Sequence, residues 1–141
     1  MRYHVVAVGR MRNAALRAAA DEYVKRLGRY THVEEREVKD AARLAGAIPD
    51  AARLIALSRV GAPWSSAALA RWTAQWDQEG RDVALAIGGA EGLPVALVSD
   101  AERVWSLSLL TFPHELARVI VLEQLYRAFT IRRGEPYHRA R

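Results

Sequence analysis

A chain of 141 residues, of which 51% are hydrophobic and 26% charged, has the composition of one globular domain, which we expect to span residues 1–141. Disulfides and thiolate metal sites are excluded because the chain has no cysteine. No stretch approaches the roughly 20 apolar residues of a membrane span, and the first residues do not form a signal peptide, so we expect a cytoplasmic protein without a membrane partner. The net charge of +5 favours an anionic partner, nucleic acid first.

The first half of the chain alternates strand and helix patterns. Residues 3–8 are apolar and β-branched, which predicts a buried strand that ends at Gly9. Asn13 is a candidate N-cap for a helix that ends near Leu27. The charged residues 33–38 predict a second strand at the edge of a sheet. Residues 40–50 form a short helical or irregular stretch.

The second half continues the alternation. Residues 53–57 and 82–87 predict two apolar strands, separated by a helix that Ser65 or Ser66 caps and that ends near Glu79. A helix over 95–103, a fifth strand over 105–110 and a long helix from His114 to about Ile131 complete the pattern. This alternation predicts an α/β fold with a mainly parallel sheet of five to six strands flanked by helices, in which strands three and four are central.

Three predicted loops lie at the edge where open α/β sheets bind ligands. They cover residues 57–64, 88–94 and 111–114. Gly88, Gly89 and Gly92 either bring the backbone close to a ligand or only form a turn, and both readings stay open. No Gly-Lys-Ser/Thr follows these glycines, which excludes a P-loop, and their place after the fourth strand disfavours the dinucleotide fingerprint.

The histidines give little support to hydrolytic or metal chemistry. The four histidines show no pair at metal-binding spacing, and no Gly-x-Ser-x-Gly segment is present, so we expect no metal and no nucleophile elbow. His114, which follows Pro113, is interpreted as a capping or loop-fixing residue. His138 lies in a polar, basic tail, where a functional role is favoured.

Arginines cluster at two places in the sequence, after the first strand and at the C-terminus. A basic cluster of this kind is typical of a surface that contacts nucleic acid. The candidate RNA-binding residues are Arg10, Arg12, Arg132, Arg133 and Arg141.

Three segments in the last third of the chain carry a resemblance to a known family. They are Ile87-Gly88-Gly89, the run Leu107-Ser108-Leu109 leading to Thr111-Phe112-Pro113-His114, and Tyr126-Arg127-Ala128-Phe129 with Gly134-Glu135-Pro136-Tyr137-His138. The chain resembles the SPOUT (α/β-knot) RNA methyltransferases, most closely the RlmH type, which methylates N3 of a pseudouridine in large-subunit (23S) ribosomal RNA. Shorter matches near the start and in the first helix extend the resemblance over nearly the whole chain.

The resemblance implies a C-terminal trefoil knot, S-adenosyl-L-methionine as methyl donor, a homodimer, and ribosomal RNA or the assembled ribosome as partner. It implies donor contacts from Leu57, Gly88, Gly89, Leu107, Ser108, Leu109, Leu110, Thr111 and Phe112, with the leucines suited to apolar walls. It also implies that Tyr137, His138 and Arg139 help to form the methyl-acceptor site.

The chemistry of the acceptor suggests roles for these tail residues. The acceptor nitrogen is a weakly acidic imide, so Arg139 or Arg133 could stabilise negative charge on the base. His138 could act as general base or as an orienting donor. The sequence leaves open whether the tail serves its own protomer or its partner.

Two departures from the family pattern accompany the resemblance. Residues 38–53 form a shorter segment than is usual, and Ser58 and Ala62 stand where family members often carry an acid and a lysine. Three other readings remain: a SPOUT enzyme that acts on another RNA position, a non-catalytic ribosome- or RNA-binding protein, and a small nucleotide-binding α/β protein.

Overall fold

Five parallel strands form the centre of the structure, a computed structural model that describes residues 1–139. The strands lie in the order β2-β1-β4-β3-β5, and every neighbouring pair is parallel. The α/β class is confirmed, with β2 at an edge and both β3 and β4 in the interior. The strands are β1 (Arg2–Val8), β2 (His32–Val38), β3 (Arg53–Ala62), β4 (Val83–Ile87) and β5 (Arg103–Trp105).

Helices cover both faces of this sheet. The three long helices share one face, where α5 packs between α1 and α3, and the two short helices cover the other face. A single 3-10 turn, Ala41–Arg43, precedes α2. The helices are α1 (Ala14–Leu27), α2 (Leu44–Ala47), α3 (Ser66–Glu79), α4 (Val95–Asp100) and α5 (His114–Arg133).

Alternating side chains of β1 show how the two faces are built. Tyr3 and Val5 are buried in the cluster formed with the long helices, whereas Val6 packs with Leu44 of α2 and Leu97 of α4. All five residues of β4 are buried, which is typical of a central strand covered on both sides. The apolar character of these strands therefore places them in the middle of the molecule.

Side-chain caps start α1 and α3 where the sequence predicted. The Asn13 side chain accepts a hydrogen bond from the Leu16 amide (3.0 Å), and the Ser65 hydroxyl accepts one from the Ala68 amide (3.0 Å). Ser65, rather than Ser66, is therefore the N-cap of α3.

The fifth strand, predicted over residues 105–110, is wrong beyond Trp105. The Ser106 hydroxyl donates to the carbonyl of Ser108 (3.1 Å), and the Ser108 hydroxyl accepts from the amide of Leu110 (3.0 Å). These local hydrogen bonds take the place of strand pairing and turn the chain away from the sheet. Residues 106–113 are therefore a loop that leads into α5.

Two other boundaries also differ from the prediction. Strand β3 continues to Ala62, because Gly61 lies so close to β5 that a Cβ atom there would be 2.5 Å from the Val104 carbonyl oxygen. Helix α4 ends at Asp100, since Arg103 already begins β5. The trefoil knot that the resemblance implies stays a prediction.

A buried arginine attaches α5 to the start of the chain. Arg118 is 1% exposed and donates hydrogen bonds to the Gly9 carbonyl (3.2 Å) and to Glu37 of β2 (2.8 Å). Glu37 also accepts from the Met11 amide (2.8 Å). Burial works to raise the pKa of Glu37, but the hydrogen bonds from Met11 and Arg118 outweigh it and lower that pKa. The contact therefore joins α5, β2 and the loop between β1 and α1.

Replacing Arg118 should destabilise the fold. Arg118→Met removes the hydrogen-bonded cation from partly buried Glu37 and leaves it only Arg17, at 3.8 Å, so the free energy of unfolding should fall by about 3 kcal/mol in urea titrations at neutral pH. The matched control, Arg71→Met on the exposed face of α3, should stay close to the parent protein.

At acidic pH, the difference in unfolding free energy between the parent protein and Arg118→Met should be smaller. The pKa of Glu37 is lowered in the folded state, so its contribution is present above the unfolded pKa, about 4.3, and is lost as the pH falls below that value. An Arg118→Met effect equal at neutral and acidic pH would contradict the assignment.

Candidate active site

A cleft with a volume of about 580 Å³ opens at the carboxyl edge of the sheet, beyond β3, β4 and β5. Its walls come from residues 57–60, 87–93, 107–108 and 110–114, and Val98 of α4 and Ala117 of α5 complete them. The volume falls within the range of small-molecule sites, roughly 300–1,000 Å³. The cleft therefore lies at the edge where the sequence placed the ligand-binding loops.

Most residues predicted to contact a methyl donor meet in this cleft. Leu109 does not: it is 86% exposed and is not among the wall residues, and its contact with a donor stays a prediction. The serine hydrogen bonds turn this loop and leave Leu109 in solvent. The residues that do line the cleft are Leu57, Gly88, Gly89, Leu107, Ser108, Leu110, Thr111 and Phe112.

The glycines after β4 form a tight turn. The Gly92 amide donates to the Gly89 carbonyl (3.0 Å), and Gly92 has a φ of +79°, a conformation that other residues rarely adopt. A Cβ atom on Gly88 would lie 2.5 Å from the Gly92 carbonyl carbon. The turn itself thus requires these glycines, and its backbone then forms one wall of the cleft.

Sequence reasoning placed Glu91 and His114 in loops at the binding edge but predicted no ligand contact for either, and both line the cleft. His114 was interpreted as a capping residue, but its side-chain cap is absent among the contacts of residues 1–139, and it begins α5 at the cleft wall. Glu91 supplies the one carboxylate among the described lining residues. Position alone was the available signal, because both residues lie within predicted loops at the binding edge, 88–94 and 111–114.

The loop after β1 lies beside the cleft. Glu115, next to His114, accepts hydrogen bonds from the backbone amides of Arg12 (2.9 Å) and Asn13 (3.0 Å). Arg10 and Arg12 are exposed, and neither forms an ion pair with any residue between 1 and 139. The arrangement leaves two free positive charges at the rim.

The C-terminal tail folds back onto α5. The Tyr137 hydroxyl donates to Glu123 (2.8 Å), and its ring contacts Tyr126 edge-on, with centroids 4.7 Å apart. Burial, followed by the hydrogen bond to Glu123, raises the pKa of Tyr137. The phenol therefore keeps its proton at neutral pH, and in this structure Tyr137 holds the tail in place.

Within one chain, the tail stays away from the cleft. His138 contacts Arg127 through Nδ1 at 3.1 Å. Ala117, the last α5 residue of the cleft wall, precedes Arg127 by ten residues, about 15 Å along a helix. Tyr137, His138 and Arg139 are not among the cleft residues. The structure thus gathers the predicted donor contacts but does not bring the predicted acceptor residues to them.

The remaining predicted RNA contacts lie around the end of α5. Arg132 pairs with Asp77 of α3 (2.6 Å), which occupies its charge, whereas the Arg133 guanidinium lies 5.3 Å from the Tyr30 ring centroid. Arg141 falls outside the described residues.

The described residues offer no membrane or metal feature. None of the helices within residues 1–139 is long and apolar enough to cross a bilayer. In the same part of the chain, no group of three or more histidine, aspartate or glutamate side chains is placed to bind a metal ion. The cleft thus offers backbone groups, hydroxyls, apolar side chains and a few charges.

Comparison with known proteins defines the class to which this fold and cleft belong. A family model described as predicted SPOUT methyltransferase matches residues 1–138, so the chain belongs to the SPOUT methyltransferase family. The chain also resembles a solved structure of a probable methylase family protein from Haemophilus influenzae Rd KW20, with a TM-score of 0.61, 12% identity, and coverage of 99% of this chain and 70% of that one. At that identity the likeness shows the fold alone.

Curated relatives are more similar in sequence. The ribosomal RNA large subunit methyltransferase H of Anaeromyxobacter sp. (strain Fw109-5) is 46% identical over 153 positions, which cover 99% of this chain and 100% of the relative. The protein of the same name from Burkholderia mallei (strain SAVP1) is 41% identical, with the same coverage. Both alignments are longer than this chain, as expected if a segment is shorter here than in its relatives.

Substitution of Gly88 should weaken donor binding. In Gly88→Ala the new Cβ meets the Gly92 backbone, so the turn must move, and affinity for S-adenosyl-L-methionine should fall about tenfold or more in calorimetric titrations. Gly46→Ala is the control, because no atom lies within 4 Å of its added Cβ. Equal affinity in the two variants would show that the turn does not shape the donor site.

Proposed function

We propose that this chain, in the cytoplasm, transfers a methyl group from S-adenosyl-L-methionine to N3 of a pseudouridine in large-subunit ribosomal RNA. One observation carries the proposal: a small-molecule cleft lies between three loops of a SPOUT methyltransferase fold. The curated relatives support the RNA substrate, since they match over their full length and are named ribosomal RNA large subunit methyltransferases.

The residues of the cleft fit this donor. Leu57, Ile87 and Leu107 provide apolar walls for an adenine ring, and the backbone of residues 88–92 provides hydrogen-bonding groups that need no ordering of long side chains. Glu91 offers a carboxylate to a cationic ligand. When bound, the donor supplies an electrophilic methyl group on a positively charged sulfur.

RNA would approach across the rim that carries Arg10 and Arg12. Both side chains are exposed, and Glu115 holds the backbone that carries Arg12 against the start of α5, next to the cleft. Arginines in this position bind phosphates without reading sequence, and such binding weakens steeply as salt increases.

We propose a homodimer in which the tail of one protomer completes the cleft of the other. The separation of about 15 Å along α5 between the cleft wall and Arg127 favours this arrangement. Val60, Leu109 and Leu110 support it, because they are 88%, 86% and 69% exposed around the cleft, where a partner could bury them. In a two-fold dimer, each protomer would supply one cleft and one tail.

The tail would then act on the acceptor base. The imide nitrogen reacts more readily as its proton leaves, and Arg139 can stabilise the negative charge that develops on the base. His138 lies next to Arg139 and is half-buried against Arg127, which fixes the direction of its ring. Tyr137 would anchor this segment rather than exchange protons.

The reaction itself can be located on the RNA. When ribosomes from a strain that lacks this gene are incubated with the protein and methyl-labelled donor, label should appear at N3 of one large-subunit pseudouridine, as read by nuclease digestion and mass spectrometry. Label at another nucleotide would identify a different SPOUT acceptor. Binding of RNA without labelling would favour a non-catalytic ribosome-binding protein.

Mixed dimers would test whether the tail acts across the interface. Gly88→Ala and His138→Ala should each transfer methyl groups poorly, while His138→Ala still binds the donor. If tails are shared, an equal mixture exchanged into heterodimers regains about a quarter of the parent activity, because one site in each heterodimer is intact. If the tail serves its own cleft, the heterodimers contain no intact site and the mixture stays inactive.

A further inference from the structure

We infer that Arg127, positioned by Glu123, holds His138 in the tautomer that carries its proton on Nε2, so that His138 donates a hydrogen bond to the acceptor base and is not the general base. The inference rests on the proposed function for its last step, but the tautomer itself is a property of the chain alone. It assigns positioning roles to Arg127 and Glu123.

The contact between Arg127 and His138 determines which ring nitrogen holds the proton. Nη1 of Arg127 lies 3.1 Å from Nδ1 of His138. A guanidinium has five N–H donors and no acceptor, so Nδ1 must offer its lone pair. In a neutral imidazole the single proton then lies on Nε2.

Arg127 is itself held by several contacts. Its Nε and Nη2 atoms both donate to Oε2 of Glu123, at 3.2 and 2.8 Å, and the same oxygen accepts from the Tyr137 hydroxyl. The guanidinium lies 4.9 Å from the Tyr137 ring centroid, within the range of a cation–π contact. The hydrogen bond to Glu123 raises the pKa of Arg127, so the guanidinium remains a donor throughout the accessible pH range.

These contacts leave His138 without a free site for a proton. Nδ1 is occupied by Arg127, and Nε2 already carries hydrogen in the neutral ring. Protonating Nδ1 would place two N–H groups against each other and break the contact with Arg127. Within residues 1–139, Nε2 of His138 has no hydrogen-bond partner, which leaves its N–H group available to a ligand.

The ionisable groups around the tail are consistent with this assignment. Arg127 contacts the His138 ring, Glu123 and Tyr137 contact Arg127 in turn, and α1 contributes further groups one layer away. Those groups are Tyr23 and Arg26, which lie against Tyr126.

A donor at this position suits the chemistry of the acceptor base. Carbonyl oxygens flank N3 on both sides, and a negative charge left by the N3 proton spreads onto them. An N–H group aimed at one of these oxygens stabilises that charge. The N3 proton leaves to solvent water, N3 forms the bond to the methyl carbon, and the bond from that carbon to sulfur breaks with its electron pair retained by sulfur.

Nuclear magnetic resonance can read the tautomer without RNA or donor. Long-range ¹H–¹⁵N spectra of histidine-labelled protein, with signals assigned through His138→Gln, should show protonated Nε2 and unprotonated Nδ1 for His138 at neutral pH. Arg127→Lys should keep this pattern, since an ammonium also only donates. A proton on Nδ1 of His138 in the parent protein would overturn the inference.

Removal of the Arg127 guanidinium should change where the His138 ring carries its proton. In Arg127→Met the proton of the neutral ring should no longer be confined to Nε2, so the spectrum should show both neutral tautomers, because methionine offers no donor to Nδ1. Arg71→Met, with an unchanged spectrum, is the control. An Arg127→Met spectrum identical to the parent would show that Arg127 does not position His138.

The methyl-transfer activities of His138 variants distinguish a hydrogen-bond donor from a general base at this position. Glutamine can donate a hydrogen bond but cannot take up a proton, so His138→Gln should be about tenfold more active than His138→Leu. Equal loss in the two variants would overturn the donor role. If the parent protein methylates no RNA while the spectra show the Nε2–H tautomer, the proposed function fails and the assignment of the tautomer stands.

Discussion

The burial of one positive charge governs how this molecule is assembled. Arg118 is withdrawn from solvent on α5 and needs acceptors, which it finds in the Gly9 carbonyl and in Glu37. Because these acceptors lie at the ends of β1 and β2, the arginine attaches the last helix to the first loop. Three features of the candidate site lie on α5 and are positioned with it. They are the cleft wall at His114, the amide-binding Glu115 and the tail contacts at Arg127.

In the proposed function, donor binding and acceptor chemistry are divided along that helix. Its first turn faces a cleft built from backbone and apolar side chains, and its second half carries the residues that orient His138. A helix rises about 1.5 Å per residue, so the cleft wall and the tail contacts lie apart as long as the tail stays on Arg127 and Glu123. In the proposed homodimer a second protomer would bring the two together, and the exposed leucines beside the cleft would give it a surface to cover.

The glycine cluster shows how a structural requirement and a functional one coincide. Gly88 and Gly92 lie too close together for side chains, and Gly92 adopts a positive φ, so the turn would need glycine with or without a ligand. The same absence of side chains exposes peptide groups toward the cleft. The turn is therefore confirmed, while a ligand contact through the backbone that it presents stays a prediction.

Local patterns were sufficient for the elements and for much of the site. Apolar runs, the Asn13 and Ser65 caps and the strand-helix alternation identified the parallel sheet and the edge at which its loops converge, because these features depend on neighbours in the chain. The order of the strands, the end of β5 at Trp105 and the exposure of Leu109 depended on contacts between distant segments and on serine hydroxyls that compete with strand pairing. The distance between cleft and tail, and the proton that Arg127 leaves on Nε2 of His138, follow from the way α5 packs and the tail folds back. Periodicity carries no such information, since it records which face a residue occupies and not which side chain it meets.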